Sequence, residues 1–230
     1  MSFAALPERL AQVRAEIARQ QAAGGWTHAV TIVAVTKGFG PDAVTVAAGA
    51  GLTDMGENRV QEALDKMDRV AAPGLRWHLI GHLQRNKAKL VPGRFALVHS
   101  VDSLELAEEL NRRAKEPVRV LLQVNVAREP QKSGCAPEQA TGLARQIAGL
   151  GQLRLDGLMT LAPLTDDEDV QRRTFRSLRA LRDTIKEEGV WLPTLSMGMS
   201  ADYATAVAEG ATVIRLGTVL FGPREKETTP

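Results

Sequence analysis

The sequence is poor in several residue types, and each scarcity excludes a class of protein. Its 230 residues include one cysteine, Cys135, so an internal disulfide is excluded and a reducing, cytoplasmic environment is expected. No apolar run is long enough to cross a bilayer, so the sequence predicts no membrane association. The N-terminal segment carries Glu8 and Glu16 among its arginines and lacks a continuous apolar core, so no secretory signal is expected.

An excess of one charge sign is also missing. The formal net charge is +2, and no block of lysine or arginine stands out, so no nucleic-acid partner is predicted. The composition does not change along the chain, and a chain of 230 residues can bury one large core. We therefore expect a single domain over residues 1–230.

The strongest local signal surrounds Lys37. The run Thr31–Val35 is apolar and rich in β-branched residues, and Gly38, Gly40 and Pro41 follow it. Such a run predicts a buried parallel strand that places Lys37 at its carboxyl end. Partial burial of the amine would lower the pKa of the lysine and favour its attack on an aldehyde to form a Schiff base. The alternative is a lysine that only caps the strand and extends its amine into solvent.

Strands and helices alternate along the rest of the chain. The predicted strands are Thr31–Lys37, Leu52–Met55, Arg76–Ile80, Phe95–His99, Val118–Val124, Leu153–Thr160, Thr194–Met197 and Thr212–Leu216. The predicted helices are one amphipathic helix within residues 1–25, then Pro41–Ala50, Val60–Val70, a short basic helix at Gln84–Leu90, Ser103–Lys115, Pro137–Leu150, Asp166–Glu188 and Ala201–Glu209. This α/β order predicts a single (β/α)8 TIM barrel with an extra N-terminal helix. A doubly wound open sheet is the alternative, and a flexible tail is expected at 224–230.

A barrel of this kind has its functional site at the carboxyl ends of the strands, whatever the chemistry. The residues predicted to lie there are Lys37, Asn58, His82, Asn125, Met159, Thr160, Ser196–Ser200, Arg215, Gly217 and Thr218.

Two of these segments favour an anion. Ser196–Ser200 precedes a predicted helix, whose unpaired backbone amides and dipole attract negative charge. Gly217 and Thr218 offer a close backbone approach and a hydroxyl group. Taken separately, each segment is more typical of an ordinary N-cap or turn than of an anion site. Their joint position after strands seven and eight, where barrels often hold a phosphate, favours a phosphate site.

Arg215 shares strand parity with Val213 and Gly217, so we expect it to point to the ligand side. Arginine keeps its proton, so its guanidinium suits an acceptor such as a pyridine nitrogen. The alternative is an ion pair with a carboxylate, either Asp202 or Glu57.

Weaker signals come from three other groups of residues. His78 and His82 share a predicted strand face, but no third ligand has a suitable spacing, so no metal site is predicted. Glu57 and Glu62 are interpreted as capping and solvated groups. Cys135 has no evident base nearby, so it is not predicted to be a nucleophile.

Six motifs together resemble one family, the pyridoxal 5'-phosphate-binding homeostasis proteins. They are Ala34–Lys37, Gly56–Glu62, Trp77–Lys87, Gly157–Thr160, Leu195–Tyr203 and Arg215–Gly222, and they span nearly the whole chain in order. Arg59 and Leu79 depart from the residues frequent in the family. We interpret both as packing variation, because neither is among the expected cofactor contacts.

The resemblance implies a barrel like the N-terminal domain of alanine racemase, with pyridoxal 5'-phosphate (PLP) bound through Lys37 as an internal aldimine. It implies phosphate contacts from Ser200, Gly217, Thr218 and the backbone near Met199. It also implies that Arg215 meets the pyridine nitrogen and that Asn58 and His82 line the site. Met159 and Ser196, at the ends of strands six and seven, complete the expected set of cofactor-binding residues.

The resemblance further implies a carrier or buffer in intracellular PLP (vitamin B6) homeostasis without robust catalysis. Racemisation needs an acid or base on each face of the substrate, and Lys37 supplies only one. We therefore expect no catalytic residues, a monomer, and PLP-dependent apoenzymes as recipients of the cofactor. A PLP-dependent amino-acid racemase or decarboxylase is the alternative, and a Schiff-base aldolase acting on a phosphorylated sugar is a third hypothesis.

Overall fold

The computed structural model describes residues 3–70 and 72–223, and in these residues eight parallel strands close into a barrel. The strands are β1 Thr31–Val35, β2 Asp54–Glu57, β3 Arg76–Leu79, β4 Leu97–Val101, β5 Val118–Gln123, β6 Leu153–Met159, β7 Thr194–Ser196 and β8 Val213–Leu216. The helices are α1 Leu6–Gly24, α2 Pro41–Gly49, α3 Val60–Arg69, α4 Leu104–Arg113, α5 Pro137–Ala148, α6 Glu168–Glu187, α7 Tyr203–Ala208 and α8 Thr218–Phe221, with a 3₁₀ helix at Arg85–Leu90. The predicted barrel is confirmed, and the doubly wound alternative is wrong.

Apolar residues form two separate layers. The larger cluster joins the strands to the surrounding helices and includes Ala34, Met55 and Phe175. A smaller cluster contains Leu97, Leu121 and Met159, which come from strands alone. Because side chains alternate along a strand, these two clusters correspond to the outer face of the sheet and the barrel interior.

The extra helix α1 belongs to the outer layer. Its buried residues Leu6, Leu10, Val13 and Ile17 recur at helical spacing, and the helix packs against α7 and α8. Gly25 ends it in a left-handed conformation with a φ of 71°. The N-terminal helix predicted within residues 1–25 is therefore confirmed.

Several element boundaries differ from the sequence-based expectation. β1 ends at Val35, so Lys37 lies in the turn that follows and not within the strand. β4 is Leu97–Val101, two residues later than predicted, and Phe95 and Ala96 lie between the preceding turn and the strand. α8 was not predicted, and the expected tail at 224–230 lies outside the described residues. No helix in the described ranges has the length and apolar character needed to cross a bilayer.

The pairing of β6 with β7 positions the seventh strand end. Gly157 lies opposite Thr194, and a Cβ at Gly157 would overlap the backbone of Thr194. The same pairing aligns Met159 with Ser196. A side chain at Gly157 would therefore displace the strand that carries Ser196.

We predict that Gly157→Ala destabilises the protein by about 1–3 kcal/mol, because an extra methyl group must push β7 away from β6. The matched control is Gly142→Ala in the interior of α5, where a Cβ would meet no atom. Because alanine favours a helix over glycine, we expect the control to gain about 0.5–1 kcal/mol. Urea unfolding followed by circular dichroism measures both, and equal changes in the two variants would contradict the prediction.

Candidate functional site

The turn after β1 carries Lys37, which is half-buried between two residues held by α3. Lys66 Nζ, from α3, donates to the carbonyl oxygen of Thr36 at 2.7 Å. Glu62 Oε1, also from α3, accepts the backbone N–H of Gly38 at 2.8 Å. Gly38 has a φ of 71°, a conformation that favours glycine. The backbone on both sides of Lys37 is therefore fixed by one helix.

A buried ion-pair network anchors this arrangement. Lys66 Nζ lies 2.6 Å from Glu57 Oε1 and 2.9 Å from Glu62 Oε1, and the Thr36 hydroxyl donates to Glu57 at 2.5 Å. Burial raises the pKa of Glu57, although the hydrogen bonds from Lys66 and Thr36 oppose this shift. The interpretation of Glu57 as a capping or solvated group is wrong, because its side chain is fully buried. We call Thr36, Glu57, Glu62 and Lys66 the α3 clamp.

Closure of the barrel places this turn beside the last strand. β1 pairs with β8, with Val33 opposite Arg215 and Ala34 opposite Leu216. A Cβ on Gly217 would lie 3.6 Å from the carbonyl oxygen of Val35. The turn carrying Lys37 and the loop after β8 are therefore neighbours at the carboxyl end of the barrel.

Arg215 is buried in the barrel and bonded to neutral groups. Its Nη1 donates to Ser196 Oγ at 2.6 Å, and its Nη2 donates to the carbonyl oxygen of Thr160 at 3.0 Å. Burial lowers the pKa of Arg215 to about 10, against the opposing charge of Asp202. The alternative of a directly bonded carboxylate is wrong for both predicted candidates: Glu57 pairs with Lys66, and Asp202 Oδ1 accepts the backbone N–H of Met199.

Backbone amides converge on a hydroxyl in the predicted anion site. Ser200 Oγ accepts the N–H of Gly217 and the N–H of Val219, each at 3.2 Å. Thr218 begins α8 between these two amides. Asp202 holds the preceding loop through its bond to Met199 at 2.5 Å. The loops after β7 and β8 therefore form one hydrogen-bonded unit rich in donors.

The loops after β2 and β3 carry Asn58 and His82. Gly81 approaches Asn58 so closely that a Cβ would overlap the asparagine backbone. His82 Nδ1 lies 3.6 Å from Asp102 Oδ2, and more than half of the histidine side chain is exposed. Burial raises the pKa of Asp102. Asn58 and His82 thus lie on adjoining loops at the carboxyl end. The expectation that His78 and His82 share a strand face is wrong, because β3 ends at Leu79.

Asn125 and Cys135, both between β5 and α5, have other roles. Asn125 holds the loop after β5, since its side chain donates to the carbonyl of Glu129 and accepts the N–H of the same residue. Cys135 is buried, and burial raises the pKa of its thiol to about 12, which makes it a poor nucleophile. Among the described residues, no group of three or more histidine, cysteine, aspartate or glutamate side chains is arranged to hold a metal ion.

Sequence reasoning missed the α3 clamp. The spacing of Glu62 and Lys66 on α3 is four residues, which is the signal for a helical ion pair. That signal alone gives no reason to expect burial of Lys66 or its contact with Thr36. The polar residues Asp54 and His99 inside the barrel were missed as well, because each lies in a short strand without a recognisable motif.

Comparison with known proteins gives consistent matches. Residues 9–225 match the family model described as alanine racemase, N-terminal domain. The pyridoxal phosphate homeostasis protein of Pseudomonas aeruginosa is 43% identical over 224 residues, which cover 96% of each chain. The protein of the same name from Aquifex aeolicus is 40% identical and covers 95% of this chain and 98% of its own.

Solved structures agree in fold. PipY of Synechococcus elongatus with PLP bound has a TM-score of 0.85 and 38% identity, covering 94% of this chain and 100% of PipY. An alanine racemase from Clostridium difficile has a TM-score of 0.75 at 15% identity, which supports the barrel fold alone. The chain belongs to the family of pyridoxal phosphate homeostasis proteins, whose barrel is of the alanine racemase N-terminal type.

Proposed function

We propose that this protein binds PLP as a Schiff base on Lys37 and acts in PLP homeostasis as a carrier or buffer without robust catalysis. The observation that carries the proposal is the convergence of the Gly217 and Val219 amides on Ser200 Oγ, beside the strand whose following turn holds Lys37. Support also comes from the relatives, which are named for PLP homeostasis, and from PipY, whose structure contains PLP.

The residues present fit the parts of PLP. Backbone amides and a serine hydroxyl suit a phosphate, because several N–H donors can share its oxygens. Arg215 has N–H groups beyond the two bonded to Ser196 and Thr160, and these suit an acceptor nitrogen. Lys37 would supply the amine that condenses with the aldehyde of PLP, with the release of water. When bound, the cofactor supplies a reactive aldehyde that the protein holds and can return.

The remaining predicted residues fit lining roles. Met159 lies in the apolar interior cluster opposite Ser196, where it would contact the ring of the cofactor. Asn58 and His82, on the loops after β2 and β3, would line the opposite side of the opening. Thr218 and the backbone of Met199 would complete the phosphate contacts.

A racemase or decarboxylase is the second candidate, because the fold resembles that of alanine racemase. Few residues favour a racemase or decarboxylase. Racemisation needs a second acid or base facing Lys37. Tyr203 is the only tyrosine in the sequence, and burial at the start of α7 raises its pKa. We therefore favour the carrier, acting as a monomer that passes PLP to apoenzymes.

The first prediction concerns Lys37. Protein loaded with PLP should be yellow, and borohydride should fix the cofactor on Lys37, because reduction converts the Schiff base into a stable amine. Lys37→Ala should abolish both the visible band and the label, as measured by absorbance and peptide mass spectrometry. Lys115→Ala, an exposed lysine just before β5 at the other end of the barrel, is the control and should keep both. A colourless wild-type protein that traps a phosphorylated sugar would instead support the aldolase hypothesis.

The second prediction concerns the α3 clamp. Glu62→Ala removes the acceptor for the Gly38 N–H and should loosen the turn that carries Lys37. We expect PLP to bind about fivefold more weakly, which corresponds to about one lost hydrogen bond. Asp65→Ala, an exposed position in an ion pair on the same helix, is the control. Fluorescence titration measures both affinities, and an unchanged Kd for Glu62→Ala would contradict the role of the clamp.

The third prediction separates carrier from enzyme. Loaded protein incubated with single L-amino acids should produce no D-amino acid or amine beyond one equivalent, because the proposed site supplies no second base facing Lys37. Chiral chromatography measures the products, with an authentic alanine racemase as positive control. Multiple turnover would refute the carrier hypothesis while leaving the PLP site intact.

A further inference from the structure

A continuous chain of hydrogen bonds crosses the barrel interior and ends at Arg215. Asp54, His78, His99 and Ser196, from β2, β3, β4 and β7, form what we call the lumen relay. The successive distances are 2.9 Å from Asp54 Oδ1 to His78 Nε2, 2.9 Å from His78 Nδ1 to His99 Nε2, and 2.8 Å from His99 Nδ1 to Ser196 Oγ. Ser196 then accepts from Arg215 at 2.6 Å. At most 5% of any relay residue is exposed.

The two ends of the relay fix its direction. Arg215 can only donate, so Ser196 Oγ accepts from it and turns its own proton towards His99 Nδ1. At the other end, burial raises the pKa of Asp54, but hydrogen bonds from His78 and Arg76 outweigh it and hold that pKa below the ordinary value. Asp54 is therefore an ionised acceptor for the Nε2–H of His78.

The two imidazoles between these ends must then share one tautomer. Burial, helped by the charge of Arg215, holds the pKa of His99 well below its ordinary value, so His99 is neutral. Its Nδ1 accepts from Ser196, so its proton lies on Nε2 and is donated to His78 Nδ1. The opposite direction would leave the buried Ser196 hydroxyl proton without an acceptor, which costs free energy.

We propose that the lumen relay is a positioning device that fixes the orientation of the Arg215 guanidinium towards the ligand. One N–H of Arg215 is committed to Ser196 and another to the carbonyl of Thr160, so the remaining N–H groups have a defined direction. The relay connects Asp54, near the amino end of the barrel, to Arg215 through successive hydrogen bonds. Ser196 thereby acts through Arg215, and His78 and His99 become positioning residues.

A purely structural role explains the relay less well. Barrel interiors are usually filled with layers of branched apolar side chains, as Leu97, Leu121 and Met159 are packed here. An apolar layer of similar volume is generally no less stable than a buried polar network. The network ends at Arg215, whose guanidinium is buried beside the candidate site, and that end point favours a functional role.

The first test uses the protein without cofactor. Long-range proton–nitrogen NMR spectra at about pH 7 should assign both His78 and His99 as neutral imidazoles with the proton on Nε2. His82, which lies outside the relay and is more than half exposed, provides the reference signal. A proton on Nδ1 of either relay histidine would overturn the proposed direction.

The second test rests on the proposed PLP function and uses loaded protein. Ser196→Ala breaks the link to Arg215, and His99→Phe replaces the imidazole with an aromatic ring that has no nitrogen. Both variants should shift the visible absorption band in the same direction and weaken PLP binding about tenfold, the effect of one charge-assisted hydrogen bond. Thr205→Val, which deletes a buried hydroxyl bonded to Gln171 outside the relay, should lower stability without moving the band.

The outcomes separate the two proposals. An unchanged band and Kd in both relay variants, with a wild-type protein that binds PLP on Lys37, would overturn the relay alone. Loss of stability in His99→Phe without a spectral shift would also overturn it, because a structural role predicts that result. If the wild-type protein forms no Schiff base, the proposed function fails, whereas the NMR result still decides the direction of the relay.

Discussion

Closure of the barrel between β1 and β8 is the constraint on which the candidate site depends. The first and last strands are far apart in the chain, yet their pairing sets Val33 beside Arg215 and brings the turn with Lys37 against the loop that starts α8. Parallel strands have all their carboxyl ends on one side, so the same closure gathers the loops after β2, β3 and β7 there. No local feature of the sequence can produce this neighbourhood, because it depends on strand number and order.

The order of strands and helices was easier to predict from the sequence than the local geometry around the candidate site. Alternation of short strand signals with helical patterns along the whole chain was sufficient to predict the barrel. Strand ends were less certain: Lys37 lies two residues beyond β1, in a turn bonded to α3 through the carbonyl of Thr36 and the N–H of Gly38. Glu57 was misinterpreted because it is buried against Lys66, which lies nine positions further along the chain.

Two buried polar networks stabilise the site from different directions. The α3 clamp acts from outside the barrel and fixes the backbone around Lys37 through Thr36 and Gly38. The hydrogen bonds of Arg215 act from inside and fix a side chain. Removing one partner from such a network leaves a buried charge or donor unpaired, which costs more than the bond itself contributes. Both networks therefore define the geometry of the site, but they tolerate substitution of their members poorly.

A defined geometry on one side of the ligand is compatible with easy release on the other. The fixed elements lie at β1, β7 and β8, whereas His82, on the loop after β3, is more than half exposed. A catalyst needs a second group held against the open face of the substrate, because proton transfer requires close and oriented contact. A carrier instead needs an exposed face, because water can then reach the Schiff base and hydrolyse it. The uneven distribution of buried contacts around the site thus favours a protein that binds its cofactor reversibly over one that uses it.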